Sequence, residues 1–366
     1  MEGSDGDGQL VLCPDGTGPI PGTTPPRNIA FIGDADCKLD RYTQLGDFDP
    51  AFWLGVHNDG VPFLDAVQTF GTLEQEFALS PALTLTSITG VYDIDQDNLI
   101  RGSGSSNPTI AADFTCSTRQ YTQELRLTSD YTNNPVNFMV GAFYQNADTK
   151  VFNRLRGNRA FNLPALLQHG VHDLDIESLS LFGQVLWQAT DTIEVAAGAR
   201  WTDEKRDHAL FNYLTNSDAT LVDPKLEADN VSPWLSVTCT PTDDLTLFAA
   251  YRRGFKSGSF NTISVDTTNP TSFGDETAKG SDVSLKARFF ERTLALNLAA
   301  YYDRYSDLQV GASDLSETGA ILLRTINAAS ATVKGIEFGA TYNPSAKRCG
   351  WWWARTPSTA TTSTRT

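Results

Sequence analysis

Along most of this chain apolar residues recur at every second position. Ile193, Val195, Ala197, Ala199 and Trp201 alternate with Glu194, Ala196, Gly198, Arg200 and Thr202. Leu245, Leu247, Ala249 and Tyr251 alternate with Thr246, Phe248, Ala250 and Arg252. Val283, Leu285, Ala287 and Phe289 form a third row, and Leu294, Leu296, Leu298, Ala300 and Tyr302 a fourth. A period of two puts one apolar face on a β-strand. The runs extend over about 10 to 14 residues, against roughly 5 to 6 for strands of soluble proteins. Strands of that length suit a tilted passage through a bilayer.

The connections alternate in length. Short turn signals fall at Ser80-Pro81-Ala82, Thr132-Asn133-Asn134-Pro135, Ala189-Thr190-Asp191, Pro241-Thr242-Asp243-Asp244 and Phe290-Glu291-Arg292. Pro, Asn and Asp fix φ or tolerate the left-handed region, which a tight turn needs. Between these turns lie long polar stretches near 96–118, 148–175, 207–228, 257–274 and 306–318. Short turns on one side and long loops on the other are the habit of outer-membrane barrels. The pattern predicts eleven strands, near 69–79, 83–95, 118–130, 136–148, 176–189, 193–206, 229–241, 245–257, 275–289, 294–306 and 320–343. An odd number of antiparallel strands cannot close on its own two edges, and lipid does not tolerate open edges. The expected fold is therefore all-β: an antiparallel transmembrane β-barrel, partial, with further strands required. Residues 1–68, broken by Pro19, Pro21, Pro25 and Pro26, read as an irregular, loop-like segment, and 69–343 as the barrel segment. Residues 344–366 read as an aberrant tail. Trp351-Trp352-Trp353 does not fit an alternating strand, and a reading-frame slip is expected there.

Composition changes this picture little. Of 366 residues 40 % are hydrophobic, and the net charge is −16. No apolar run approaches the ~20 residues of a membrane-spanning helix. The mean hydropathy of −0.27 would suit a soluble protein, but a barrel strand shows lipid only every second residue. The acidic balance argues against nucleic acid, whose binding rests on Lys and Arg. Met1 is followed by Glu2-Gly3-Ser4-Asp5-Gly6 with neither a basic nor an apolar leader region, so no signal peptide is read and Met1 is expected to lie within a longer parent. Cys13 and Cys37 either form a loop disulfide or remain free thiols. His169 and His172 bring two imidazoles into an expected outer loop, either as a metal contact or as solvated side chains. Spacings for a nucleophile elbow, a zincin or a phosphate loop are absent. The chain is expected to be no enzyme, with no catalytic residue, no metal site and no cofactor.

Several stretches resemble the barrel of TonB-dependent receptors. They are Tyr121-Thr122-Gln123-Glu124-Leu125-Arg126-Leu127-Thr128-Ser129 with Phe138-Met139-Val140-Gly141-Ala142-Phe143-Tyr144, and Leu181-Phe182-Gly183-Gln184 with Gly198-Ala199-Arg200-Trp201-Thr202-Asp203-Glu204-Lys205. Phe248-Ala249-Ala250-Tyr251-Arg252-Arg253-Gly254-Phe255-Lys256 is similar to a third hairpin of the family, and Asp303-Arg304-Tyr305 with Asn327-Ala328-Ala329 and Lys334-Gly335-Ile336-Glu337-Phe338 completes the order. The resemblance implies a barrel of about 22 strands closed by a plug, of which eleven would be half. It further implies an outer-membrane location for the full-length parent and contact with outer-membrane lipid. Energised uptake of a scarce nutrient would follow, most readily a ferric siderophore, driven by the TonB complex in the parent only. A TonB box, a plug and a carboxy-terminal aromatic strand are not read here, so the chain is expected to be a fragment of such a receptor. A passive outer-membrane channel and a secreted soluble β-rich binding protein remain as alternatives. The soluble one would require a buried core and no outward apolar belt.

The alternation also sorts charges. If Leu125, Leu127, Trp201, Tyr251, Leu285 and Ile336 face lipid, the lumen receives Glu124, Arg126, Arg200, Glu204, Arg252, Lys256, Lys286, Arg288 and Glu337. These either form salt-bridge ladders or meet plug and ligand. The resemblance implies anionic ligands, so Arg252 and Lys256, inward and near the loop end of one strand, are the ligand-binding candidates. Tyr144, Trp201, Tyr251 and Tyr302 toward the loop ends, and Trp187 and Tyr342 toward the turn ends, would form two interfacial aromatic belts.

Overall fold

The computed structural model describes residues 17–19, 28–30, 47–101, 110–262, 271–315, 321–343 and 361–364. Cys13 and Cys37, and the Trp351–Trp353 run, lie outside them. Eleven long strands carry the fold: β1 (Phe63–Ser80), β2 (Leu83–Arg101), β3 (Ile110–Ser129), β4 (Val136–Gly157), β5 (Gln168–Thr190), β6 (Ile193–Asn212), β7 (Lys225–Thr242), β8 (Leu245–Lys256), β9 (Glu276–Phe289), β10 (Leu294–Leu315) and β11 (Ile321–Tyr342). Each pairs antiparallel with the next in chain order, so the sheet is one continuous meander. Thr361–Thr364 adds a short strand on the far edge of β11. No described helix is long and apolar enough to cross a membrane, which says nothing of crossing by strands.

The sheet has two unlike faces. Residues opposite one another in a ladder project to the same side. Leu85, Leu127 and Val140 are linked in this way, as are Leu181, Trp201 and Val231, and Leu247, Leu285, Leu298 and Phe338. Many of these side chains are open to the surroundings, Leu181 at 51 %, Val283 at 55 % and Phe338 at 56 %. Exposure to water costs about 25 cal/mol per Å² of apolar surface; against lipid tails that cost disappears. The buried apolar cluster is small by comparison: Phe48, Trp53, Leu99 and Ala111, with Val56 and Phe63 against it. A continuous apolar face and a minor core are the reverse of what a soluble β-protein needs. On the opposite face small polar residues dominate the wall, and Thr86, Ser178, Ser180, Thr202 and Asn230 are buried there. Glycines let aromatic rings lie flat on this wall. A Cβ at Gly141 would stand 2.6 Å from the Phe182 ring, and one at Gly198 would stand 2.6 Å from Trp234.

The strands run further than the alternation signals. β2 continues to Arg101, β4 to Gly157 and β6 to Asn212, while β3 begins at Ile110 and β5 at Gln168. Phe63–Gln68, within the stretch read as irregular, already belongs to β1. The physical reason is that the loop ends carry Asp and Lys on the face that is apolar lower down, such as Asp93, Asp95, Asp148, Lys150, Asp173 and Asp207. Toward the loop ends the outward face therefore turns polar as well. The apolar period vanishes there, while the backbone ladder continues unchanged. The connections shorten accordingly to 102–109, 158–167, 213–224 and 316–320.

Residues 47–62 lack strands but pack closely against the loop ends of β2, β3 and β4. Trp53 meets Phe48 edge-on at 4.9 Å, and both rest on Leu99 and Ala111. Beneath them the Arg156 side chain bonds Asp113 at 2.8 Å and the Leu54 carbonyl at 2.7 Å.

Candidate ligand-facing wall

All the charged residues assigned to the lumen by alternation share one face, opposite the apolar one. Strand register places Arg126, Glu124, Arg200, Glu204, Arg252, Lys256, Lys286, Arg288 and Glu337 there together. Their partners differ. Arg126 lies 3.4 Å from Glu124 on its own strand. Glu204 pairs with Arg206 at 2.7 Å, both largely buried, and not with Arg252. Arg200 stacks its guanidinium over Phe143 at 5.1 Å and Phe182 at 5.7 Å, the second ring being one that a glycine allows to lie flat. Arg252 bonds Asp282 of the neighbouring β9. Lys256 stands opposite Glu276 in the ladder, yet the Glu276 carboxylate accepts from the Gln309 backbone N–H at 2.9 Å instead. No ion pair to Lys256 is formed among the described residues. Lys286, Arg288 and Glu337 are exposed toward the turn ends of β9 and β11.

At the loop end this wall is covered. The connection from β8 to β9 folds back over it through a small hairpin, Ser259–Phe260 with Ser272–Phe273. Asn261 bonds the Thr325 backbone in both directions, at 3.1 and 2.6 Å. Asn327 holds Gly274 likewise, at 2.6 and 2.9 Å. On the other side Asn153 donates to the Thr262 carbonyl at 2.7 Å. The fold-back thereby ties β4 to β11 across the mouth. Beside it lies a pocket of about 250 Å³ lined by Glu204, Arg206, Ala228, Gly258 and Asp275, among others.

Under the fold-back sits a group the sequence does not announce. His172 is fully buried, and His208 nearly so. His169 and His172, expected in a loop, both belong to β5 and point to opposite faces, so they do not converge on one ion. His169 stacks on Tyr213 at 4.6 Å. Among the described residues no cluster of three metal-ligating side chains occurs. The only signal for the buried pair is that His172 and His208 fall on inward positions of neighbouring strands, which requires the strands to extend beyond the alternating stretch.

The aromatic side chains of the two expected belts lie on the apolar face. Tyr251 and Tyr302 flank Ser281 in register, and Trp201 opposes Leu181 and Val231. Tyr121 joins them without having been singled out by the sequence.

The long meander, its outward apolar face and its polar inner wall define an outer-membrane barrel. The sequence matches the family described as TonB dependent receptor-like, beta-barrel, over residues 15–366, and the chain belongs to that family. The barrel fold is shared with the ferric yersiniabactin uptake receptor FyuA from Yersinia pestis, at 16 % identity and a TM-score of 0.67, covering 83 % of this chain and 44 % of that one. It is similar to the ferric-catecholate import receptor Fiu from E. coli K12 in its closed form, at 13 % identity and a TM-score of 0.56, covering 83 % and 48 %. The copper transporter OprC shares it at 12 % identity and a TM-score of 0.56, covering 77 % and 45 %. The chain thus spans under half the length of these solved structures. No curated protein matches the sequence.

Proposed function

We propose that this chain supplies part of the barrel wall of an energised outer-membrane receptor, and that the receptor takes up a ferric siderophore or a comparable anionic chelate. The observation that carries the reading is Lys256: a cation on the inner face, at the loop end, without a carboxylate partner among the described residues. At a partly dry wall its charge acts more strongly on an anion than it would in bulk water. Arg252, two inward positions further along the strand, is already joined to Asp282 and serves as the second contact. Glu124, Arg126, Arg200 and Glu204 have partners of their own and hold the wall together.

Membership of the family supports coupling to a TonB complex and a plug against this wall, both contributed by the whole receptor. The outer edge of β1, which pairs with no strand among the described residues, supports additional strands, since an open edge in lipid leaves N–H and C=O groups unsatisfied at several kcal/mol each. The solved structures that share the fold are named as receptors for ferric yersiniabactin and ferric catecholates and as a copper transporter, so the cargo rests on the charge of the wall and not on the fold. The test is charge reversal of Lys256 and Arg252 to Glu in the complete, inserted receptor, followed by equilibrium binding of a panel of ferric siderophores. A loss of tenfold or more in affinity is expected. Binding unchanged within twofold rejects the role of both residues.

A further inference from the structure

The outward face changes sign just beyond the aromatic row. On β2 to β7 the band above the belt is acidic, and its cations face carboxylates: Arg119 pairs with Asp93 at 3.0 Å, Lys150 with Asp173 at 3.1 Å and Lys225 with Asp207 at 2.6 Å, while Lys205 stands opposite Glu177 and Glu227 in the ladder. On β8 to β11 the outward positions next beyond the aromatic row carry Arg253, Lys279, Arg304 and Lys334, all exposed. Arg253 stands directly opposite Lys279, and Lys279 directly opposite Arg304. Lys334 opposes Tyr302, one step toward the membrane and diagonal to Arg304. None of the four forms an ion pair with a described carboxylate.

Like charges directly opposite on a sheet are about 5 Å apart at Cβ and destabilise it. Here two such pairs share Lys279. The row also sits one position beyond Tyr251, Ser281 and Tyr302, where an aromatic belt marks the boundary of the hydrocarbon. Long cationic side chains at that depth lay their stems along the apolar wall and place their charges among headgroups. Arginine offers a planar fork that matches a phosphate group.

We propose that Arg253, Lys279, Arg304 and Lys334 form a binding site for a phosphate-bearing lipid headgroup of the outer leaflet. The lipid's acyl chains would lie on Leu247, Val283, Leu285 and Leu298 below, and its phosphates would neutralise the opposed cations. The site lies on the face away from the ligand wall and is independent of any uptake role.

The experiment uses the receptor with its closed barrel, purified in mild detergent, and counts bound lipid by native mass spectrometry. The probes are bis-phosphorylated lipid A, its dephosphorylated form and inorganic phosphate. The protein is the wild type, the fourfold variant Arg253→Gln, Lys279→Gln, Arg304→Gln and Lys334→Gln, and Arg119→Gln as a control in the paired part of the band. The expected result is retention of bis-phosphorylated lipid A by the wild type and by Arg119→Gln, with at least tenfold weaker binding by the fourfold variant. Dephosphorylated lipid should bind the wild type at least tenfold more weakly. Equal retention by the fourfold variant within twofold overturns the proposal, as does equal binding of the two lipid forms. Displacement of the lipid by millimolar inorganic phosphate would reduce the site to a free-anion site and overturn the lipid assignment. If the fourfold variant does not fold, the comparison of lipid forms on the wild type decides.

Discussion

His172 and His208, from neighbouring strands, lie with Nδ1 of the first 2.9 Å from Nε2 of the second, their rings nearly parallel at 5.1 Å. Asn153 approaches His172 Nε2 at 3.4 Å. Because the Asn153 amide nitrogen only donates, His172 accepts at Nε2 and carries its proton on Nδ1, which it gives to His208. His208 then holds its own proton on Nδ1, a buried N–H without a partner among the described residues. Phe260 of the fold-back covers the ring at 4.7 Å. Burial, with His208 as a neighbour, pushes His172 down to about 3; burial pushes His208 down to about 4.

The pH dependence follows from these directions. Both imidazoles are neutral in the folded state and would ionise near pH 6.5 once released. Their contribution is whole above about pH 6.5 and declines as the pH falls toward 3 to 4, where the folded groups themselves protonate. The fold-back over the inner wall is therefore expected to open more often at pH 5 than at pH 7.5. Amide hydrogen exchange at 258–262, corrected for intrinsic rates, should rise on acidification. Protection that stays constant down to pH 4.5 contradicts this account.

A second buried pair anchors the 47–62 segment. Asp113 and Arg156 are 2 % and 6 % exposed in their side chains, and Arg154 lies 3.8 Å from Asp113. Breaking a buried pair costs about 3–5 kcal/mol in typical proteins when the remaining charge is left uncompensated; without Arg156 the buried Asp113 keeps only the more distant Arg154, so a smaller loss is expected. Arg156→Ala also removes the bond to the Leu54 carbonyl. The expected consequence is detachment of Phe48 and Trp53 while the strand ladder stays intact. Limited proteolysis should cut between 47 and 62 at least tenfold faster in the variant, with unchanged β-sheet circular dichroism.

Gly60 tests the same segment through the backbone. Its φ is +86°, and a Cβ would come 1.7 Å from the Phe48 carbonyl oxygen. That oxygen cannot retreat easily, because the Phe48 amide donates to the Gly60 carbonyl at 2.7 Å. Gly60→Ala therefore combines left-handed strain of about 1–2 kcal/mol with a backbone clash, and faster cleavage of 47–62 is expected again. A cleavage rate equal to the wild type would show that the segment does not depend on this turn.

How much of this was legible in the sequence depends on what surrounds each stretch. Between lipid and lumen the two faces differ in polarity, so Leu285 beside Lys286 or Trp201 beside Arg200 assigns strand, face and register at once. The turns were equally plain, since Pro81 and Asp243-Asp244 sit where the ladder reverses. Beyond the membrane the signal fails: Asp148, Asp175 and Asp207 stand opposite one another on three strands, and nothing in their polarity separates a strand from a loop. Asp175 is raised above the usual carboxylate range, first by its hydrogen bond with Asp148, an effect of register alone. The pairing of Arg252 with Asp282 and not Glu204 depended on which strands become neighbours, and the His172–His208 contact on strands continuing where the alternation stops.

The two-faced wall makes a sharp prediction at one pair of adjacent residues. Leu285 lies on the apolar face between Leu247 and Leu298, and Ser284 on the inner face between Phe248 and Ala299. Leu285 also falls midway between the Tyr251–Ser281–Tyr302 row and the turn-end Phe289, close to the centre of the hydrocarbon. An arginine there must be taken out of water, at about 2–4 kcal/mol near the midplane of a barrel. An arginine at 284 meets the polar wall beside Lys286, where water or a carboxylate can reach it. Unfolding of the complete receptor from phospholipid vesicles by urea should therefore separate Leu285→Arg from Ser284→Arg by about 2 kcal/mol or more. Equal losses for the two would mean that these neighbouring positions do not face different solvents, and the assignment of lipid and lumen to the two faces would fall with them.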